Sequence, residues 1–464
     1  MGCSVADNAG QEIIFQGGTE TIGGNTVVLK VTGGGKAFQY LFDFGVAEEH
    51  YQPHYVPSSR PNSIDEFRFR GLIPEFDLNM RACFITHAHS DHCSVLPALY
   101  ASKYKPEAIW ATRTTSRLIG GVQFVEKSLF LDPFGKGDYY EDLQAKEESL
   151  KLRVALYPVD HDIPGACCFF AVLGESLVVY TGDFRAHGFL SIYLEKQFWQ
   201  YAKELQIRYK LKKLIIVCEG TNFGLPFDHR PQEDLDQRIN EILRIYPNDL
   251  VTLIINSDGL WDLFSVLVSS GAYSSRCIVI SEHIAQFLRK IRQRDSFIED
   301  YRHVVTQDGF SNFQYLSDPI RFHVYDSRHA RSIELLRKIA QESSKYLLFL
   351  TRFDAYDALE KISMFSHGMR GCCTLGFSGG DETAEAPMRA YAKALGRLGY
   401  CIEKTNVLAR GHVSPHDLAD ILKSLKPAKV FLIHTLAPDG LKAFLEPRLD
   451  CEVIAPSEGV SYNL

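Results

Sequence analysis

The sequence predicts an α/β protein in which one unit is inserted into another. Three observations carry that reading. Metal-type side chains recur at the ends of strand-like segments, in the order Asp43, His87-x-His89-x-Asp91-His92, His161, Asp183 and His434. Strand and helix patterns alternate from about residue 225 to 407, as they do in a parallel sheet. The alternating stretch lies between two of the strand-terminal ligands, so the first unit resumes after it.

The elements follow in chain order. Gly17-Gly18 and Gly23-Gly24 feed a strand at Thr26–Val31, and a hairpin through Gly33-Gly34-Gly35 leads to Tyr40–Gly45, which carries Asp43. Residues 46–80 read as irregular, because Pro53, Pro57, Pro61 and Pro74 interrupt any periodic pattern. Ala82-Cys83-Phe84-Ile85 reads as a buried strand. It opens onto Thr86-His87-Ala88-His89-Ser90-Asp91-His92, three imidazoles and a carboxylate within six positions. Sites are commonly built on loops held by rigid elements. On such a turn His87 and His89 can point one way while Asp91 and His92 reach another, a geometry that can serve two metals. Imidazole with carboxylate suits zinc or manganese.

Further strand-like runs end on further ligand types. Val154–Tyr157 leads to His161, Val178–Tyr180 to Asp183, and Val430–Ile433 to His434. One histidine or aspartate after a strand is usually structural; the ordered set is specific. Between them, helix patterns at 233–246, 260–270, 282–293, 329–341 and 386–395 alternate with strands at 250–255, 277–281, 320–324, 346–350, 372–375 and 400–404. The expected division is 1–222 and 408–464 for the first unit and 223–407 for the insert.

Composition narrows the class. At 464 residues two or three domains fit, and no apolar run reaches the roughly 18 residues of a membrane helix. The start of the chain has neither a basic region nor an apolar stretch, so no signal peptide is expected. The 11 cysteines are odd in number, include the adjacent pairs Cys167-Cys168 and Cys372-Cys373, and form no CxxC. That argues against a disulfide framework and for a reducing cytoplasm. A net charge of −7 does not advertise nucleic-acid binding, so a polyanion must be drawn by local charge.

The ordered ligands resemble the metallo-β-lactamase superfamily, whose fold is an αββα sandwich. The resemblance implies that His87, His89 and His161 hold one metal. Asp91, His92 and His434 would hold a second, Asp183 would bridge them, and Asp43 would support the site from behind. About 250 residues separate Asp183 from His434, far more than a simple lactamase needs. Glu219-Gly220-Thr221-Asn222 resembles the acidic first motif of the β-CASP branch, whose nucleases carry an inserted α/β domain. Arg410-Gly411-His412-Val413-Ser414-Pro415 resembles its second motif, and His434 its third. A histidine in the third motif is typical of RNA-acting members.

Within that branch the chain looks most like ribonuclease J. The likeness rests on Gly18–Asn25, His161-Asp162-Ile163-Pro164, Tyr180–Phe184, Ser378–Glu382 and the run from Gly411 to His434. Two departures stand out. Thr351-Arg352-Phe353-Asp354 replaces the Ser/Gly-rich phosphate loop. The sequence also ends soon after His434, which reads as the lack of an appended C-terminal domain.

Phosphodiester hydrolysis needs a nucleophile at neutral pH, charge neutralisation and a proton for the leaving group. Two divalent metal ions, zinc first and manganese as the alternative, supply the first two. Asp91 or Asp183 would orient the nucleophile. His412, held by Glu219, would protonate the leaving oxygen or else only bind phosphate. Ser414 would donate to a phosphate, cap the helix that begins at Pro415, or do both. Ser378 and Gly379 would cradle a phosphate or merely turn the chain. The expected function is a metal-dependent ribonuclease, 5′-to-3′ exonuclease and/or endonuclease, in RNA processing or decay. Its expected partner is RNA, with no membrane and with homo-oligomerisation left open. The competing readings are a hydrolase of DNA, another phosphodiester or a small molecule, and a catalytically dead RNA-binding scaffold. The scaffold should have lost ligands that are all present here.

Overall fold

Among the described residues, twenty strands assemble into three sheets. The computed structural model describes residues 10–33, 36–47, 61–120, 128–130, 139–144, 149–188, 190–191, 194, 196–224, 233–255, 276–292, 323–366, 371–376, 382–403 and 411–464. The chain first lays down β1 (Gly10–Gly17), β2 (Thr26–Gly33), β3 (Lys36–Phe42), β4 (Ala82–Phe84), β5 (Ala108–Ala111) and β6 (Ser128–Phe130). A second group is β7 (Tyr139–Gln144), β8 (Ser149–Pro158), β9 (Cys167–Leu173), β10 (Ser176–Tyr180) and β11 (Lys213–Glu219). A third is β12 (Leu250–Ile255), β13 (Cys277–Ser281), β14 (His323–Tyr325), β15 (Tyr346–Thr351), β16 (Gly371–Gly376) and β17 (Tyr400–Glu403). The chain then returns through β18 (Lys429–Ile433), β19 (Glu452–Ile454) and β20 (Ser461–Asn463). The sheet orders are β20-β1-β2-β3-β4-β5-β6, β19-β18-β11-β10-β9-β8-β7 and β14-β13-β15-β12-β16-β17.

The first two sheets pack face to face because their strands alternate. Successive side chains leave opposite faces of a strand. In β10 and β11, Val178, Tyr180, Ile215 and Val217 point inward. They meet Phe15, Val27, Leu29, Phe42 and Phe84 of the first sheet. Leu177, Val179, Leu214, Ile216 and Cys218 point the other way, into a layer with the helices Phe198–Tyr209, Pro415–Leu425 and Pro438–Leu445. On the far side of the first sheet, Val28, Leu41, Cys83 and Ile85 pack on the helices Ile64–Phe69 and Leu96–Ala101. This is the αββα sandwich that the sequence predicts.

The third sheet is an excursion from the second. Strands β11 and β18 are parallel hydrogen-bonded neighbours, with Glu219 opposite Ile433, although β12 to β17 lie between them in the chain. All its pairings are parallel, and Leu250–Ile255 is buried at every position, as a strand covered on both faces should be. Val251, Leu253 and Phe349 join the outer layer of the second sheet, while Ile254, Leu348 and Leu350 pack on Leu336, Ile339, Ala355 and Leu359.

Of the stretch 46–80, residues 48–60 lie outside the described residues, and 61–80 are less irregular than expected. Ile64–Phe69 is a helix, and it is capped twice: Ser63 Oγ accepts from Glu66 N at 3.2 Å, and Glu66 Oε2 accepts from Asn62 N at 2.7 Å. Pro61 and Pro74 flank this helix instead of interrupting it, so local hydrogen bonding prevails over these breakers. The helix expected over 260–270 lies outside the described residues. Among the described residues no helix is long and apolar enough to cross a membrane.

Candidate metal centre

Six strand-end segments meet at one edge of the sandwich. They are Asp43 after β3, Thr86–His92 after β4, Asp160–Asp162 after β8, Asp183 after β10, Glu219–Asn222 after β11 and His434 after β18. Asp43 and His434 both take positive φ, 55° and 54°. That conformation costs a non-glycine residue roughly 1–2 kcal/mol and concentrates at functional sites. Each is held in it by the backbone: Asp43 N donates to Phe84 O at 2.9 Å, and His434 N to Gly18 O at 2.7 Å.

The side chains form three overlapping groups whose ligand atoms lie within 4.8 Å of one another. They are His87, His89 and His161; Asp91, His92, Asp183 and His434; and Asp183, Glu219, His412 and His434. Asp183 Oδ2 sits among five imidazoles, at 3.1 Å from His92, 3.5 Å from His434, 3.7 Å from His87, 3.8 Å from His412 and 3.9 Å from His161. The structure thus brings together every ligand candidate read from the sequence.

Four histidines are oriented in one way. Each turns Nε2 toward the cluster, and a partner outside it holds Nδ1. His92 Nδ1 lies 2.8 Å from Asp43 Oδ2, and His161 Nδ1 lies 2.7 Å from Gly411 O. The other two use a threonine relay. His87 Nδ1 reaches Thr86 Oγ1 at 3.0 Å, and that hydroxyl donates to Asp43 Oδ2 at 2.8 Å. His434 Nδ1 reaches Thr221 Oγ1 at 2.7 Å, and that hydroxyl donates to Glu219 Oε2 at 2.6 Å. Each partner assigns the proton to Nδ1 and leaves the Nε2 lone pair facing inward, the tautomer a ligand needs. Thr221→Val should therefore weaken metal binding about 10- to 100-fold. Competition with a chromophoric chelator measures this, and unchanged affinity would remove Thr221 from the account.

The electrostatics call for cations. Asp43, Asp91, Asp183 and Glu219 are all buried, and among the described residues their ion pairs are all with imidazoles. Burial pushes His87 and His161 well below the usual histidine range, with neighbouring imidazoles adding to it. Burial also opposes a charge on His92, but Asp183, Asp91 and Asp43 outweigh it and raise that group. Asp183 Oδ1 is buried without a hydrogen-bond partner. His89 Nδ1 lies 3.1 Å from His87 Nε2 and 3.2 Å from His161 Nε2. Such separations suit neighbouring corners of a tetrahedron with bonds of about 2.0–2.1 Å. The donor set fits divalent cations on both counts, lone pairs turned inward and buried negative charge.

Beside the ligands, Glu219 Oε2 accepts from His412 Nδ1 at 2.8 Å, and its Oε1 accepts from Phe184 N at 2.9 Å. Asn222 Nδ2 donates to the carbonyls of His412 and Val413 at 2.8 and 3.1 Å, which holds their loop against the end of β11. The Ser414 hydroxyl is committed to the helix cap: it accepts from Asp417 N at 3.0 Å and donates to Asp417 Oδ2 at 2.7 Å. Of its two readings the structure shows the cap. Ser378 and Gly379 lie outside the described residues.

Sequence reasoning missed Thr86, Thr221, Tyr180 and Gly411. Tyr180 OH donates to Asp43 Oδ2 at 2.9 Å. The one available signal was adjacency, since Thr86 precedes His87 and Thr221 lies two residues after Glu219.

No family model matches the chain. It is 25% identical to ribonuclease J of Mycoplasma pneumoniae over 194 residues, 39% of this chain and 31% of that protein. It is 29% identical to ribonuclease J of Mycoplasma genitalium over 129 residues, 26% of this chain and 22% of that one. The match thus spans less than a third of the length of either curated relative. A solved protein of unknown function from Enterococcus faecalis V583 shares the fold over 98% of this chain and 100% of its own, with a TM-score of 0.62 and 18% identity.

Proposed function

We propose that this chain, a ribonuclease J-like protein of the metallo-β-lactamase superfamily, is a metal-dependent ribonuclease that hydrolyses RNA phosphodiester bonds. The observation that carries the reading is the His412–Glu219 hydrogen bond at 2.8 Å beside the clustered ligands. A ligand set alone serves many hydrolases. A held imidazole next to it adds a proton donor for an alkoxide leaving group.

We assign residues 1–222 and 408–464 to the metallo-β-lactamase domain and 223–407 to an inserted β-CASP domain. The pairing of β11 with β18 supports that division. His87, His89 and His161 would hold one cation, and Asp91, His92 and His434 a second, with Asp183 between them. When bound, a pair of divalent cations, zinc in our reading and manganese as the alternative, makes hydroxide available near neutral pH and neutralises phosphate charge.

The chain's own groups do the rest. Asp91 and Asp183 face the reacting space and orient the nucleophile. Burial disfavours a charge on His412, but Glu219, helped by Asp183, raises it to about 10, so the ring carries its proton at neutral pH. Glu219 accepts the hydrogen bond from Nδ1–H, so the proton on Nε2 is the one available to the leaving oxygen. The His412 side chain is 21% exposed and Glu219 only 1%, so substrate can reach the imidazole while its partner stays dry. Glu219→Gln, assayed at saturating metal, should lower kcat about 100-fold or more. Equal kcat would strip His412 of its role as acid.

The deciding experiment incubates purified protein with one RNA and its matched DNA, 5′-labelled and ending in a monophosphate or a triphosphate. Zinc and manganese are supplied in parallel, with His87→Ala as control. Cleavage of RNA that is lost in the control supports the reading. Release of labelled mononucleotide marks a 5′ exonuclease, and internal fragments mark an endonuclease. Metal-loaded protein that cuts no strand overturns it in favour of a substrate that is not a nucleic acid.

A further inference from the structure

His89 is the exception among the five histidines read as metal ligands. It turns Nδ1, not Nε2, toward the cluster. Its Nε2 is buried and has no hydrogen-bond partner, although the outward nitrogen of each of the other four is held. A buried N–H left without an acceptor is costly, and a ligand imidazole almost always donates its second N–H to something. The group facing it is a carboxylate. Asp162 Oδ1 lies 3.6 Å from His89 Nε2 and 3.1 Å from His161 Nε2, and its side chain is 8% exposed.

Asp162 is also confined on one side by its neighbours. It follows His161 directly, and it packs against Gly411 so closely that a Cβ there would press on its carboxylate. The Gly411 carbonyl in turn holds His161 Nδ1. When Nε2 of His161 engages a cation it has no proton to offer Asp162 Oδ1, whereas Nε2–H of His89 still has one. A shift of about 0.8 Å then reaches the charge-assisted distance of about 2.8 Å. Asp162 belongs to none of the three ligand groups found among the described residues.

We propose that Asp162 is the positioning residue of His89: its carboxylate accepts the Nε2 proton of His89 and aims Nδ1 at the cation shared with His87 and His161. The proposal rests on the two-cation reading above. It is tested by titrating metal-free wild type, Asp162→Ala and Asp162→Asn with zinc against a chromophoric chelator. Cobalt absorption spectra and metal-free melting temperatures are recorded alongside.

The expected result is two zinc ions in wild type and, in Asp162→Ala, one site weakened about 10- to 100-fold with the other unchanged. The cobalt spectrum of the weakened site should change. Asp162→Asn keeps an acceptor oxygen and should recover most of the affinity. Wild type that takes up two ions while Asp162→Ala matches it in affinity and spectrum overturns this proposal alone. Wild type that takes up no metal overturns the hydrolase reading together with it. If Asp162→Ala does not fold, Asp162→Leu replaces it: affinity and cobalt spectrum equal to those of wild type would overturn the proposal.

Discussion

Asp183→Ala is expected to abolish metal-dependent cleavage, with kcat falling about 10⁴-fold or more. Among the described residues no other carboxylate pairs with so many imidazoles. One carboxylate oxygen faces His87, His92, His161, His412 and His434, all within 3.9 Å. Removing it takes a ligand candidate from two of the three groups and the negative charge that lies among their imidazoles. Metal content should fall below two ions per chain in the same variant, measured by elemental analysis after gel filtration. A variant with wild-type metal content and wild-type cleavage would end the two-metal account.

Gly45→Ala is the second large effect, and it acts through the backbone. Phe44 N donates to His92 O at 2.7 Å, Val95 N donates to Phe44 O at 3.2 Å, and Gly24 N donates to Asp91 O at 3.1 Å. These bonds press the segment after β3 onto the ligand loop. A Cβ at Gly45 would overlap the carbonyl of Asp91 and the nitrogen of His92. Both are main-chain groups, so no side-chain rotation relieves the clash. The chain must separate, with loss of about 3 kcal/mol or more. Because the separation moves Asp91 and His92, metal affinity should fall with stability. Denaturant unfolding read beside zinc titration checks this, and wild-type values in both would show that the loop yields more easily than its hydrogen bonds suggest.

The two variants differ in how far they could be foreseen. Asp183 stands out in the sequence, at the end of Val178-Val179-Tyr180 and in order with the other ligands. Gly45 does not, because nothing local distinguishes it from Gly33 or Gly71. Its necessity comes from a chain segment some 46 residues away. The same contrast runs through the site. His87 and Asp91 announce themselves in one heptapeptide, whereas the threonine relays to Asp43 and Glu219 join positions 43 and 213 residues apart.

By itself the sequence determined the alternating strands and helices of the third sheet and the set of ligand candidates at strand ends. Each of these is written in short-range patterns of burial and residue type. Leu250–Ile255 and Cys277–Ser281 form the strands read from their apolar runs, and the chain's ligands follow strand ends because a strand end is a fixed point from which a side chain can be aimed. The helix Ile64–Phe69 was missed because two capping hydrogen bonds outweigh the prolines around it. Tertiary structure alone decided which nitrogen of each histidine faces inward, which of Ser414's roles its hydroxyl takes, and what stands behind His89. Those choices depend on hydrogen-bond partners that are distant in the chain, and a partner's direction exists only once the sheets have packed.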